Sequence, residues 1–120
     1  MMAHTNSQKM AQAAYMAVRK RVDGTALPEK YASFARSFPS LVHSCGLAQA
    51  IAFAKAKDHG QYLEDLAGVL KKIGHDESSS TEDLERATRE SPVMAYVRLS
   101  RNALQAAGWL KRYVEALQTE

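Results

Sequence analysis

The run from Ser37 to Lys57 is the most apolar stretch of this chain, and it restricts the fold more than any other segment. Leu41, Val42, Cys45, Ala48, Ala52 and Phe53 recur at helical steps, with Leu47, Ala50, Ile51 and Ala54 between them. On a helix these residues cover most of the circumference, so the segment is expected as a central helix with neighbours on several sides. Pro39 suits the first helical position, where its missing N–H is not needed. Gly46 has no Cβ and can bend the helix or admit a neighbour closely. Lys55 and Lys57 end the run, where cations suit the negative end of the helix dipole.

With 120 residues, the chain has room for one domain and a real core. It is rich in Ala and holds only three Pro, which favours helices over strands. The expected fold is all-α: a single-domain bundle of about five to six helices with a long C-terminal helix and a core over roughly 8–117. The tail 1–6 is expected to be flexible and the loop 74–81 mobile. No apolar run approaches the ~20 residues needed to cross a bilayer. Met1 to Lys9 is polar and lacks the apolar segment of a signal peptide. A cytoplasmic protein is therefore expected. The single Cys45 excludes an intramolecular disulfide and a multi-cysteine metal site.

Charge is placed unevenly. Residues 1–57 carry a net of +6, from Lys9, Arg19, Lys20, Arg21, Lys30, Arg36, Lys55 and Lys57 against Asp23 and Glu29, whereas the remainder carries −3. A basic half attracts polyanions by steering and phosphate neutralisation. Ordinary asymmetry of a solvated surface is the competing explanation.

Taken in order, residues 7–22 read as the first helix, with Met10, Ala14, Ala17, Val18 and Val22 on one face and Ser7 as N-cap. Arg19, Lys20 and Arg21 crowd its last turn, serving either the helix dipole or a phosphate-binding edge. Asp23-Gly24 stops it, and Thr25 to Pro28 forms a connection. Residues 29–37 read as a short second helix bearing Tyr31, Phe34, Ala35 and Phe38, ended by Phe38-Pro39. After the central helix, Asp58-His59-Gly60 breaks the chain.

Residues 61–73 align Tyr62, Leu63, Leu66, Leu70 and Ile73, with Gly74 as a natural C′ residue. Gly68 inside this helix costs about 1 kcal/mol relative to Ala and is read as a close-packing position. The polar segment His75–Ser80 reads as a loop, and Thr81-Glu82-Asp83 starts a short peripheral helix with only Leu84 and Ala87 apolar. Ser91 and Pro92 suit the cap and first position of the last helix, 92–117. There Tyr96, Leu99, Ala103, Ala106, Leu110, Tyr113 and Leu117 form a heptad-like seam. Val93, Val97, Leu104, Ala107, Trp109 and Val114 widen it. At 1.5 Å per residue this helix is about 39 Å long.

Catalytic patterns are lacking. His43 and Cys45 are two apart and point to different sides of a helix, with no third group to orient a base. His4, His43, His59 and His75 have no zinc-like spacing. His59 and His75 fall in loops, where surface histidines need no special role. Glu64-Asp65, Asp76-Glu77 and Glu82-Asp83 fit helix starts and solvated loops, and the glycines are scattered singly, so there is no phosphate loop. Neither a cofactor nor a small-molecule substrate is expected. In the last helix, Arg98 and Arg101 can share an exposed face with Gln105, while Trp109 and Tyr113 read as core. For Arg98, Arg101, Lys111 and Arg112, contact with RNA phosphates or with a partner subunit stays open.

Several motifs in order resemble one family. Phe38-Pro39, an aliphatic at Val42, Gly46-Leu47, Gln49-Ala50-Ile51-Ala52-Phe53 and a following Lys are joined by Tyr31 and Arg36 upstream and by Tyr62-Leu63 downstream. Tyr96, Ser100-Arg101-Asn102-Ala103-Leu104 and Trp109-Leu110-Lys111-Arg112-Tyr113 follow. Together they resemble the small all-helical subunit of type III-B CRISPR effector complexes, the Cmr or RAMP-module family, over roughly residues 8–117. Asn102 stands where the resemblance leads one to expect an acidic residue.

The resemblance implies a non-catalytic structural subunit for antiviral defence. Its copies would stack as a minor filament beside the backbone subunits, along the groove where guide RNA and target RNA pair. RNA contact would run through phosphates without sequence specificity, because base pairing supplies the specificity. The candidate RNA-binding residues are Arg19, Lys20, Arg21, Lys30, Arg36, Lys55 and Lys57, then Arg98, Arg101, Lys111 and Arg112. The partners implied are the backbone subunit, further copies of the chain, and guide and target RNA, with no membrane. The alternative is a helical protein–protein interaction module with no nucleic-acid role.

Overall fold

The computed structural model describes residues 3–22, 24 and 26–118. Six α-helices follow one another: α1 (Asn6–Arg21), α2 (Glu29–Cys45), α3 (Leu47–Ala56), α4 (Gly60–Lys72), α5 (Thr81–Glu90) and α6 (Val93–Gln118), with a single 3-10 turn at Asp76–Ser78. Met1 and Met2 of the expected tail lie outside the described residues, as do Asp23 and Thr25 of the expected stop and connection after α1.

Thr5, rather than Ser7, caps α1. Its Oγ1 accepts from the Gln8 N–H at 3.0 Å, and Gln8 Oε1 accepts from the Thr5 N–H at 2.8 Å. This reciprocal box satisfies two otherwise unpaired N–H groups, whereas a cap at Ser7 would face Met10, which cannot reciprocate. Met10, Ala14 and Val18 are the buried stripe of α1.

The expected break at Pro39 does not occur. α2 runs through it to Cys45 because Phe34, Phe38 and Val42 form one buried stripe across the proline. Burying such side chains contributes roughly 1.5–3 kcal/mol each, enough to outweigh the ~3 kcal/mol that an interior proline costs a helix. The chain breaks instead at Gly46, with φ +85° and ψ 163°. That conformation is open to glycine and strained for other residues. The Gly46 N–H donates to Val42 O at 2.8 Å, closing α2, and Gly46 O accepts from the Ala50 N–H at 3.0 Å, opening α3.

The apolar run is thus split between two helices, and the helix enclosed on most sides is α4. It packs against all five others. Tyr62, Leu63, Leu66, Ala67, Val69 and Leu70 are buried on it. α3 buries Leu47, Ala50, Ile51 and Ala54 but leaves Ala52 and Phe53 exposed. Much of the apolar character of 37–57 comes from Ala, which contributes little area to bury, while α4 carries larger side chains.

α3 and α4 end in the same way. Asp58 takes φ +64°, its N–H donates to Lys55 O at 3.2 Å, and the His59 N–H donates to Ala54 O at 2.8 Å. Gly74 takes φ +99°, its N–H donates to Lys71 O at 3.1 Å, and the His75 N–H donates to Leu70 O at 3.1 Å. Both are Schellman ends, and Gly74 is the C′ residue expected from sequence.

His75 is not the surface histidine expected there. It is buried, and its Nε2 accepts a hydrogen bond from Asn102 Nδ2 on α6 at 2.8 Å. The Gly74 turn sends the chain back onto the bundle, which also buries Ser78. Ser80 then caps α5 by accepting from the Asp83 N–H at 3.1 Å.

α6 begins at Val93, one residue later than expected, because the Pro92 carbonyl already accepts from the Tyr96 N–H at 2.9 Å. Its seam buries Leu99, Ala103, Ala106, Ala107, Leu110 and Val114 against α1, α2 and α4. Val93 and Val97 do not widen that seam. They project outward with Met94, at 76%, 40% and 74% exposure respectively. No helix among the described residues is long and apolar enough to cross a membrane.

Candidate nucleic-acid interface

The eleven candidate cations lie on α1, on α2, at the end of α3 and on α6, and their surroundings separate them. Arg21 is not an open cation. Its Nε donates to Asp65 Oδ2 and its Nη2 to Asp65 Oδ1, both at 3.0 Å. Nη2 also reaches Glu64 Oε1 and Gln61 O at 3.4 Å. Asp65 is buried and accepts a further hydrogen bond from the Tyr31 hydroxyl. The fork to Asp65 holds the Arg21 guanidinium charged even more firmly than usual. Burial, reinforced by the Asp65 carboxylate, pushes the Tyr31 phenol far above its ordinary range. This triad ties α1, α2 and α4 together.

Arg36 and Lys30 are partly engaged. Arg36 Nη2 lies 3.4 Å from Glu29 Oε1, and Lys30 Nζ lies 3.9 Å from Asp58 Oδ2. The Lys30 charge also acts on His59. Burial comes first and Lys30 second in lowering the His59 pKa, and Asp58 opposes them. The His59 ring stacks on Phe34 at 3.7 Å with 9° between planes.

Arg19, Lys20, Lys55, Lys57, Arg98 and Arg101 are exposed and form no ion pair among the described residues. Arg19 and Lys20 end α1 beside the buried triad. Lys55 and Lys57 end α3, next to the Lys30–Asp58 pair. Arg98, Arg101 and Gln105 do share the exposed face of α6. Helical spacing sets Arg112 on that same side, and its guanidinium carbon lies 5.4 Å from the Trp109 ring centre. Lys111 is half-buried.

Trp109 and Tyr113 are half-buried against the core, their rings 5.9 Å apart, with Tyr15 meeting Tyr113 edge-on at 5.5 Å. The basic residues of α6 therefore border an aromatic strip shared with α1.

Cys45 Sγ is half-buried and donates to Leu41 O at 3.2 Å, while His43 is exposed. Among the described residues, no three His, Cys, Asp or Glu side chains come close enough together to hold a metal ion. Sequence reasoning missed the apolar ridge Val93, Met94 and Val97, because alternating steps of three and four also fit the seam beside it. It missed the Arg21–Asp65–Tyr31 triad too, because the three residues are far apart in the chain.

Comparisons with known proteins bear on the family and the fold. The model of the family described as CRISPR-associated protein (Cas_Cmr5) matches residues 6–117. The CRISPR system Cmr subunit Cmr5 of Thermus thermophilus is 39% identical over 119 residues, covering 97% of this chain and 98% of the relative. The crystal structure of a CRISPR-associated Cmr5 family protein, also from Thermus thermophilus, superposes with a TM-score of 0.83 at 37% identity, covering 96% of this chain and 98% of that one. With its six helices, its long α6 and a match along nearly its whole length, the chain belongs to the Cmr5 family, the small subunits of the type III-B CRISPR Cmr complex.

Proposed function

We propose that the chain is a non-catalytic structural subunit of a cytoplasmic, RNA-guided type III-B effector complex that targets RNA in antiviral defence. Copies stack as a minor filament beside the backbone subunits and meet the guide and target RNA through phosphates, without sequence specificity. Family membership supports the complex. The observation that carries the RNA reading is the set of exposed cations outside any ion pair among the described residues: Arg19, Lys20, Lys55, Lys57, Arg98 and Arg101. Side chains not held in an ion pair can neutralise phosphates and release counterions. Lys30, Arg36, Lys111 and Arg112 follow them, and Arg21 leaves the set because Asp65 already holds it.

The test is filter binding of RNA to the assembled complex across a salt series. Reversing Arg98 and Arg101 to Glu is expected to weaken binding and to flatten the dependence on log salt by roughly 0.7–0.9 for each phosphate no longer neutralised. An unchanged slope removes that pair from the interface.

A second reading, a protein–protein module with no RNA role, draws on one observation: Val93, Met94 and Val97 stand exposed together at the start of α6. RNA affinity equal to that of a charge-matched control within the complex would favour it.

A further inference from the structure

A groove of about 1230 Å³ runs between α1 and α4. Ala13, Met16 and Ala17 form one wall, and Gly68 and Val69 form the other. Met16 is 52% exposed. Gly68 sits mid-helix, yet a Cβ built on it meets nothing within 4 Å. Close packing inside the fold, the role expected for this glycine from sequence, therefore does not account for it. What its missing side chain provides is an open groove floor.

Lys9, Lys20 and Lys72 stand along the rims, exposed and without a carboxylate partner among the described residues. Glu64 and Asp65 also line the groove, but both face Arg21. Glu64 is itself 67% exposed, and with Lys9, Lys20, Arg21 and Lys72 against Glu64 and Asp65 the lining is net positive.

We propose that this groove is a docking site for an amphipathic, acidic α-helix of a different protein chain. Three observations select that occupant. The groove follows α1 from Gln8 to Lys20, a length of about 18 Å, which suits three to four helical turns. Its walls are helices whose backbone groups are already paired, so an extended segment would leave its own N–H and C=O groups unsatisfied over the floor, whereas a helix satisfies them internally. The small residues Ala13, Ala17 and Gly68 let a helix approach closely, and the rim lysines pair with carboxylates along its flanks. RNA suits the groove less well, because its phosphates would lie over Ala13, Met16 and Ala17. Lys20 is shared with the proposed RNA set, so the charge test rests on Lys9 and Lys72, which lie outside it.

The test uses the full chain in its native complex, with the photoreactive residue p-benzoylphenylalanine replacing Met16. After irradiation, mass spectrometry is expected to find an adduct with a segment of another protein chain that carries at least two Asp or Glu at i, i+3 or i, i+4 spacing. Gly68→Leu, which fills the floor, and the double variant Lys9→Glu/Lys72→Glu are each expected to lower its yield at least five-fold. Circular dichroism and Tm are expected to stay at or above the parent's for Gly68→Leu. Lys9→Ala/Lys72→Ala repeats the charge test without added repulsion. An adduct with RNA, with a second copy of this chain or with a non-acidic segment would overturn the proposal. So would no adduct, or full yield in the variants. The RNA salt slope, read on the same preparations, reports separately on the basic surface.

Discussion

The hydroxyl of Tyr96 caps a helix from 48 residues away: Tyr96 Oη accepts a hydrogen bond from the Ala48 N–H at 3.1 Å. The first turn of α3 has no side-chain cap of its own, because the residue before it is Gly46. An N–H left open there is normally met by a Ser, Thr, Asp or Asn at the cap. Here α6 supplies the acceptor, which fixes the α2–α3 corner against the start of the long helix. Tyr96→Phe keeps the ring and removes the acceptor. It is expected to destabilise the fold by about 1 kcal/mol, read as a lower urea midpoint at unchanged m.

The Arg21–Asp65–Tyr31 triad is expected to be the most sensitive polar feature of the fold. Asp65→Ala leaves the phenol without its acceptor and the guanidinium with only the 3.4 Å contacts to Glu64 and Gln61, in a site where Asp65 is only 8% exposed. Breaking such a pair costs about 3 kcal/mol, the low end of the range for buried ion pairs, because the Arg21 side chain remains 22% exposed and water can reach it. Urea unfolding checks this. Reversing Arg21 together with Lys20 is consequently a poor probe of RNA contact, since it also removes a tie between α1 and α4.

Tyr62 offers the opposite case. Its ring is fully buried among Tyr31, Phe34 and Phe38, and its hydroxyl has no hydrogen-bond partner among the described residues. Burial pushes this phenol far above its ordinary range. Tyr62→Phe removes an unpaired polar atom while keeping the packing. The variant is expected to match the parent or exceed it by up to about 1 kcal/mol. A loss of more than about 1 kcal/mol in urea unfolding would mean that the hydroxyl has a partner.

His59 gives the fold a pH dependence of defined sign. Its pKa lies below the ordinary 6.5, because burial against Phe34 and the nearby Lys30 disfavour the imidazolium more than Asp58 favours it. The unfolded chain therefore binds the proton more readily. The contribution of His59 is fully present above the unfolded value and is lost as pH falls through the folded one. Tm is expected to drop as pH falls below the ordinary 6.5 towards the lowered folded value. His59→Phe keeps a flat ring on Phe34 and is expected to make that drop shallower. An identical pH profile for the two proteins would assign the effect to other groups.

Helix number, the long α6 and the short peripheral α5 were legible in the chain because each follows from local chemistry. The stripe of Leu63, Leu66 and Leu70, the Gly74 stop, and the acidic start of α5 below Ser80 are all written within a few residues of where they act. The family resemblance rested on order and spacing, which survive in a linear reading. Among the candidate cations, residue type and rough exposure were legible at Arg98 and Arg101. That Arg21 is taken by Asp65 was not, because the pairing spans 44 residues.

What the tertiary structure alone decided follows from forces that act across the chain rather than along it. Pro39 and Gly46 both read as breaks or bends, and only the shared burial of Phe34, Phe38 and Val42 carries α2 through the first to stop at the second. Burial energy, not propensity, decided between them. Val97 and Leu99 are both apolar on α6, yet the packing of α1, α2 and α4 leaves one outside and the other in the core. His75 and Asn102 meet only because the Schellman turn at Gly74 returns the chain to α6. The sequence by itself set which segments become helices and how the charge is shared between its halves. The packed bundle set which side of each helix stays open to a partner, because that depends on which neighbours have already taken the other sides.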